Sequence, residues 1–263
     1  MTDILWWRYL CVLFPAGILA GITSAVAGLA SLISYPALLA VGIPPVLANV
    51  TNTTALVFTG VGSAAASRRE LRGHMRELLE LLPLTVVGSL CGGALLLAAP
   101  ASSFEHIVPF FILGAAILIL HPEMLHLRAP DGEDNAHRLR ARVMRIAFAA
   151  AVFLVGAYTG YFGAAGGVIM LALLAATSKA EFAEYNALRN VSLGASNLVA
   201  TILFIFRAHI YWLAAAPLAV GFFVGGYIGP LIVRRAPARL LRILIAVGAT
   251  GLAVYLFIRT YFG

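Results

Sequence analysis

Long apolar runs, separated by short polar connections, dominate this sequence. Runs of the length that a membrane-spanning helix needs, about 20 residues, occur near 4–26, 46–66, 78–99, 104–121, 145–163, 187–206, 209–232 and 240–259. Only 11% of the 263 residues are charged and 62% are hydrophobic, whereas a soluble domain has about 25% charged residues. So few charges cannot cover the surface of a soluble enzyme or a nucleic-acid-binding domain, even with a net charge of +7. The sequence therefore predicts an all-α polytopic membrane protein whose outer surface contacts the lipid bilayer.

Two further apolar stretches, near 28–42 and 164–177, are shorter and are interrupted by glycine or proline. Their length is too small for comfortable spanning of a bilayer, because the hydrocarbon core is about 30 Å thick. We expect half-helices or re-entrant segments at these two places. The predicted fold therefore has about eight long transmembrane helices and two short broken or re-entrant helices.

The order of motifs in the first half of the chain recurs in the second half. A Gly-x3-Gly pair is followed by a glycine-rich break, a short apolar piece and then an Asn-Val-Thr/Ser element. The paired motifs are Gly17/Gly21 with Gly156/Gly160, and Asn49-Val50-Thr51 with Asn190-Val191-Ser192. Matching order and spacing indicate a duplication. We expect a first transmembrane repeat at 1–121, a charged cytoplasmic linker at 122–144 and a second transmembrane repeat at 145–263.

The positions of the basic residues predict the topology, because cytoplasmic loops of membrane proteins collect Lys and Arg. If the short pieces are ignored, each half crosses four times, the repeats are parallel, and the basic connection 234–242 lies outside. If each short piece crosses, or forms a hairpin with the preceding helix, each half crosses an odd number of times. The two repeats are then inverted, and of the 18 basic residues all but Arg8, Arg207 and Arg259 lie inside. The second arrangement is favoured; it predicts basic loops in the cytoplasm and both termini outside.

Inverted repeats around interrupted helices are typical of secondary transporters. A break frees backbone N–H groups at depth, which is tolerated only where they line a cavity or bind something, and helix N-termini favour anions. The breaks at 27–31 and 163–167 are therefore candidate ligand sites, with close helix packing as the alternative. For the other paired glycines, helix packing is the preferred interpretation: Gly17, Gly21, Gly92, Gly93, Gly225 and Gly226.

Polar residues inside the apolar runs form two clusters at corresponding places, each after a glycine break. The chain shows no metal-ligand, nucleotide-binding or catalytic motif, so we expect neither an enzyme nor a cofactor. Interhelical hydrogen bonds, aromatic packing and, for Arg189, a topology signal are the alternatives to substrate binding. As a ligand-binding group, Arg189 offers several donors in one plane to an oxyanion. The candidate substrate-binding residues are Gly28, Ser31, Asn49, Thr51, Asn52, Thr53, Tyr158, Tyr161, Gly163, Gly166, Asn186, Arg189, Asn190, Ser192 and Asn197.

Two signatures that together reach across both halves carry a resemblance to a known family. The first is the run from Ser31 through Pro36, Gly42, Pro44 and Pro45 to Asn49-Val-Thr-Asn-Thr53, with Gly60–Ser67 and Arg68-Arg-Glu-Leu71 after it. The second is Gly156-Ala-Tyr-Thr-Gly-Tyr-Phe-Gly-Ala-Ala-Gly166, followed by Asn186-Ala-Leu-Arg-Asn190 and Asn197. In these the chain resembles the TauE/SafE family of sulfite and organosulfonate exporters. It departs from the family's usual glycine run in the first break, which here reads Ala27-Gly-Leu-Ala30.

The resemblance implies movement of small sulfur-containing oxyanions, such as sulfite or sulfonates, across the cytoplasmic membrane. We therefore expect a secondary transporter of a small anion, working as an exporter by alternating access of two inverted repeats. A passive anion channel on the same scaffold and a non-transporting membrane scaffold or assembly protein are the alternatives. The expected partners are the bilayer and the anionic substrate, with a homodimer left open.

Overall fold

The computed structural model describes residues 2–98, 113, 117, 135–161, 166–178 and 180–262. Throughout these ranges the regular structure is helical, as the apolar runs predict. The helices in chain order are α1 Thr2–Ala27, α2 Ser31–Ala40, α3 Pro45–Ala66, α4 Arg68–Leu71, α5 Met75–Ala98, α6 Asn135–Tyr161, α7 Gly166–Thr177, α8 Phe182–Arg207, α9 Trp212–Arg235 and α10 Ala238–Phe262.

Helices occupy nine of the ten apolar segments expected from the sequence, and the tenth, 104–121, lies outside the described residues except for the helical positions 113 and 117. Five of these helices contain a stretch long and apolar enough to cross a membrane. The stretches are Tyr9–Ala27, Met75–Ala98, Arg142–Tyr161, Phe182–Arg207 and Trp212–Arg235. Helix α3 has 22 residues, but its Asn and Thr side chains lower its hydropathy. The protein is thus an all-helical, multi-pass membrane protein.

Helices α1 and α9 pack side by side in the same direction, with glycines at the contact. A Cβ atom built on Gly17 would lie 2.6 Å from the Leu218 carbonyl oxygen, and one on Gly21 would lie 2.9 Å from that of Phe222. Gly225 in turn faces the backbone of α1. Because the contact positions advance together along both helices, the helices are parallel. The packing prediction for these glycines is confirmed.

The same contacts recur between α5 and α6, which are also parallel. Gly156 lies against the backbone of Thr85, and Gly160 lies against that of Ser89. Gly92 packs against the backbone of α6 at Ala157, as its sequence pattern predicts. The corresponding contacts are Gly17–Leu218 with Gly156–Thr85, Gly21–Phe222 with Gly160–Ser89, and Gly221–Phe14 with Gly88–Phe153. Each helix advances by four residues from the first of these contacts to the second.

A third helix runs parallel to each of these pairs: α3 runs beside α1 and α9, and α8 runs beside α5 and α6. In α3, the Ser63 hydroxyl donates to the Gly226 carbonyl at 3.0 Å, and the Ala66 carbonyl accepts from Arg234 at 3.0 Å, so α3 runs along α9. In α5, the Ser89 hydroxyl donates to the Ser196 carbonyl at 2.9 Å, and Gly93 faces side chains of the next turns of α8. Two groups result, α1–α3–α9 and α5–α6–α8. Each group contains helices from both halves of the chain.

The two short helices return the chain toward the end of the bundle from which the preceding helix came. Because α1 and α3 are parallel, α2 between them must run the opposite way, and α7 does the same between α6 and α8. Ten residues of α2 extend about 15 Å, roughly half of the 30 Å hydrocarbon core. The turn before α2 therefore lies inside the bundle, and the first turn of α7 lies against it. There Gly28, with φ +77°, touches Gly167, and a Cβ on either residue would meet the other's backbone.

Several basic connections meet at one end of the bundle. Arg234, at the end of α9, forms a bidentate ion pair with Glu70 of α4, at 2.7 and 3.0 Å. His74, just before α5, lies 3.4 Å from Glu184 at the start of α8. Helix α6 runs parallel to α5, so its N-terminal, arginine-containing turns lie at this end too.

The outer surface of the described helices is rich in large apolar side chains. Leu154 is 63% exposed and Phe206 is 78% exposed, and similar residues occur on every long helix. Apolar patches of this extent mark a surface that contacts lipid or another apolar partner rather than water. The polar residues Asn, Thr and Ser lie instead in the interior.

Candidate functional site

The C-terminal end of α1 lies in the interior and is capped by side chains of α8. Gly28 donates its N–H to the Ser24 carbonyl at 2.7 Å, which is the left-handed cap that glycine favours. The last carbonyls of a helix have no partner within it, and here α8 supplies partners. The Ala25 carbonyl accepts from Asn186, Arg189 and Asn190 at 2.9, 3.0 and 3.0 Å.

Arg189 is the only charged residue among the buried side chains that the structure describes, with 1% of its surface exposed. Its Nη2 donates to the Ser24 carbonyl at 2.8 Å and also bonds the Asn190 side-chain oxygen. Its Nη1 is 3.5 Å from the Gly167 carbonyl. The C-terminal end of a helix carries partial negative charge, which compensates part of the cost of burying this cation.

A cavity adjoins Arg189 where the two halves of the chain meet. The volume inside it that the centre of a water molecule can occupy is about 40 Å³. Four of the predicted site residues line it: Gly28, Arg189, Asn190 and Asn197. Ser24, Ala30, Thr59 and Gly167 also line it, and Leu56 and Leu193 give it apolar walls.

Three buried polar atoms around this cavity have no hydrogen-bond partner among the described residues: Nε of Arg189, Oγ1 of Thr59 and Oδ1 of Asn197. A buried polar group without a partner is costly, and a bound polar ligand or water would supply the missing bonds. The side chains of Thr59 and Asn197 are only 4% and 6% exposed. The cavity can therefore bind a small polar ligand through both donors and acceptors.

Thr59 was not among the residues selected from the sequence. It lies five residues beyond the Asn/Thr cluster of α3, in a segment that is otherwise apolar. The signal that could have identified it is its place in Thr59-Gly60, where a polar residue and a small one interrupt the apolar run. Gly60 also lines the cavity and touches Gly194 of α8.

The other predicted site residues lie away from the cavity lining, and several bond to backbone. Asn49 donates to the Tyr161 carbonyl at 3.1 Å, and Asn52 lies 3.4 Å from the Ser31 hydroxyl. Thr53 and Ser192 bond carbonyls of their own helices, and Thr51 accepts from the Tyr211 N–H at 3.3 Å. Tyr158 is buried and Gly166 lies against Thr159, while Gly163 lies outside the described residues. A substrate role for these residues stays a prediction.

Asn49 and Asn190, which the repeat pairs with each other, make corresponding contacts. Asn190 donates to Ala25 in the last turn of α1, and Asn49 donates to Tyr161 at the end of α6. Each amide therefore caps the first long helix of the other half. These bonds link the two halves at both breaks.

The first break has Leu29 and Ala30 where the family usually has glycine, and only Ala30 of these two lines the cavity. Leu29 is 5% exposed, belongs to an apolar cluster, and reaches toward Gly248 of α10. It is not among the lining residues, whereas Ala30 is. The break thus keeps one glycine, Gly28, at the closest backbone approach.

Comparison with known proteins gives a consistent set of relatives. The sequence model described as "Sulfite exporter TauE/SafE" matches residues 13–256. The chain is 28% identical to "Probable membrane transporter protein ORF9" of Sinorhizobium sp, with 95% of this chain and 93% of that protein covered. It is 26% identical to a "Probable membrane transporter protein" of Haemophilus influenzae (90% and 90% covered) and 28% identical to "Probable membrane transporter protein YfcA" of Escherichia coli (90% and 85%). No solved structure gives a significant match. By the family match over most of its length, the chain belongs to the TauE/SafE family of membrane transporters.

Proposed function

We propose that the protein is a secondary transporter that exports a small oxyanion of the sulfite or organosulfonate type. The observation that carries this proposal is a group of three buried polar atoms without a partner, on residues that line one cavity: Nε of Arg189, Oγ1 of Thr59 and Oδ1 of Asn197. The guanidinium N–H of Arg189 and the hydroxyl of Thr59 can donate hydrogen bonds to the oxygens of such an anion. The family's description as a sulfite exporter supports this substrate class, and the relatives' names support membrane transport.

The topology that goes with this function is a pair of inverted repeats with the basic connections in the cytoplasm. The recurring contacts of α1 with α9 and of α6 with α5 support this arrangement. So does the order of directions, because α1 is parallel to α3 and α9 while α6 is parallel to α5 and α8. In this proposal α3, α10 and the run 104–121 cross the membrane as well, which gives eight long spans.

The moving units in alternating access would be the two three-helix groups rather than the two halves of the sequence. Helices α1 and α9 meet backbone to backbone at Gly17 and Gly21, so they cannot separate without breaking tight packing. The cavity lies between the groups, with Thr59 on one and Arg189 and Asn197 on the other. Rocking of one group against the other would open this cavity to either side.

The direct test is flux of sulfite and methanesulfonate in proteoliposomes that contain the purified protein. We expect flux that saturates with concentration and that is absent from protein-free vesicles. Flux that rises linearly with concentration would favour a channel. Absence of anion flux, or movement of cations instead, would contradict the proposed function.

A matched pair of substitutions on α3 connects the flux to the cavity. Thr59→Val keeps the shape of the side chain and removes the unpartnered hydroxyl, so we expect a KM raised by about threefold to tenfold, the value of one hydrogen bond. Thr54→Val is the control, because Thr54 is buried on the same helix but bonds the Val50 carbonyl and does not line the cavity. Equal effects of the two substitutions would place the substrate elsewhere.

A further inference from the structure

We propose, on the basis of the transport function above, that the cavity accepts monovalent oxyanions and excludes divalent ones. Sulfite would then be carried as hydrogensulfite, and sulfonates without a second acidic group, which carry a single negative charge, would be accepted at any pH. The charge of the cavity decides this. Arg189 is the only charged side chain among the described residues that line it, and an arginine stays protonated in proteins.

The helix ends around the cavity do not change this charge. Ser24 belongs to the last turn of α1 and Thr159 to the last turn of α6, so two C-terminal ends lie there. Ala30 is the N-cap residue of α2 and Gly167 is in the first turn of α7, so two N-terminal ends lie there as well. Each end carries about half a unit charge, positive at the N-terminus and negative at the C-terminus. The two pairs therefore offset each other and leave the single charge of Arg189.

A monoanion neutralises this charge, whereas a dianion leaves one negative charge without a partner in the interior. An uncompensated buried charge is strongly unfavourable, and the apolar walls formed by Leu56 and Leu193 strengthen the effect because they exclude water. Thr59 and Asn197 add directional hydrogen bonds but no charge.

Among the described residues that line the cavity, none besides Arg189 has a titratable side chain, so they would not produce the expected dependence on pH. The phenol of Tyr185 on α8 interacts electrostatically with Arg189, and that of Tyr158 on α6 lies next to Gly166. Phenols keep their proton near neutral pH. Among the described residues, no group of three or more His, Cys, Asp or Glu side chains comes together. A change of sulfite affinity between about pH 6 and about pH 9 would therefore report the protonation of the ligand.

The test compares three anions on the full-length protein, with the unfolding temperature measured against ligand concentration to give apparent dissociation constants. Methanesulfonate is a monoanion and sulfate a dianion across this pH range, while sulfite loses its second proton near neutral pH. We expect the same methanesulfonate affinity at every pH and a sulfate affinity at least about tenfold weaker. Sulfite should weaken by about tenfold per pH unit once its second proton is lost.

Sulfate that binds as tightly as methanesulfonate, or sulfite binding that does not change with pH, would overturn the charge selectivity while leaving the transport function in place. If none of the three anions binds or is transported, the proposed function itself fails.

A pair of substitutions at Asn197 tests the charge of the cavity independently. Asn197→Asp should abolish methanesulfonate binding because it cancels the charge of Arg189, and Asn197→Leu should weaken it by only about tenfold. Equal effects of the two substitutions on folded protein would also overturn the proposal.

Discussion

At the scale of single residues, Arg189 combines two tasks. Its Nη2 bonds the last carbonyls of α1, which explains how an arginine is tolerated inside an apolar bundle, and the residue also lines the cavity with its Nε unpartnered. The sequence predicted a ligand-binding group or a topology signal at Arg189, because a charge is expensive in a membrane interior. It could not indicate that the partner is the end of α1, since Ser24 and Ala25 contribute backbone oxygens that any residue type would provide.

The substitution Gly28→Ala tests the close contact between the two breaks. Alanine at this position would have to adopt φ +77° and place its Cβ 2.6 Å from the Cα of Gly167. The left-handed conformation alone costs about 1–2 kcal/mol, and the backbone contact adds to it. We expect Gly28→Ala to lower the unfolding temperature clearly and to reduce transport.

The control for Gly28 is Gly42→Ala. Gly42 also has a positive φ, +92°, but a Cβ there meets nothing within 4 Å. We expect this substitution to cost only the backbone strain. If both variants lose the same stability, the contact between the two breaks contributes nothing.

At the scale of helices, the segment positions follow from hydropathy, but the pairing of helices does not. The expected runs 209–232 and 187–206 agree with α9 and α8 within a few residues. The glycine spacing also predicts correctly that α1 and α9 have faces for close packing. The sequence does not say which two glycine faces meet, because small residues fit one another in any combination. Only the structure therefore shows that α5, from the first half, packs with α6 and α8, and that α9, from the second half, packs with α1 and α3.

Gly225 tests the close packing of α9 on α1. A Cβ added there would meet the Ile18 carbonyl and lie 2.7 Å from the Ile22 backbone nitrogen, so the two helices must move apart. We expect Gly225→Ala to destabilise the protein by about 1–3 kcal/mol, the usual cost of overpacking. Thermal unfolding in detergent measures this.

Gly251→Ala is the matched control in α10, because a Cβ there meets nothing within 4 Å. Alanine in a helix interior is favoured over glycine by about 1 kcal/mol, so this variant should be unchanged or more stable. A Gly225 variant as stable as the control would mean that the two helices do not depend on the contact.

At the scale of the whole molecule, ion pairs connect distant parts of the chain at one end of the bundle. Burial of Glu70 raises the pKa of its carboxyl group, but the hydrogen bond from Arg234 and the positive charges of Arg234 and Arg69 together hold this pKa below its usual value of 4.5. A carboxyl group whose pKa is lowered by folding stabilises the protein above its unfolded pKa. This stability is lost as the pH falls through the folded pKa.

Glu70→Gln should therefore lower stability near neutral pH and have no effect in acid. The loss should be no more than about 1 kcal/mol, because Arg234 is partly exposed and salt screens such pairs. Unfolding temperatures of the two proteins at neutral and at acidic pH measure the difference. A difference that grows in acid would contradict the ion pair as its cause.

Cysteine labelling can test the topology, because an exposed connection lies at each end of the bundle. His209 follows α8 and Gly73 precedes α5; both are exposed, and α8 and α5 run in parallel, so the two residues lie at opposite ends. With Cys11 and Cys91 replaced by serine, a single cysteine at His209 should react with a membrane-impermeant maleimide in intact cells. A cysteine at Gly73 should react only after the cells are opened, because the arginines around it belong in the cytoplasm. The reverse labelling pattern would place the basic connections outside, and reaction at both positions in intact cells would contradict a structure whose two ends lie on opposite sides of the membrane.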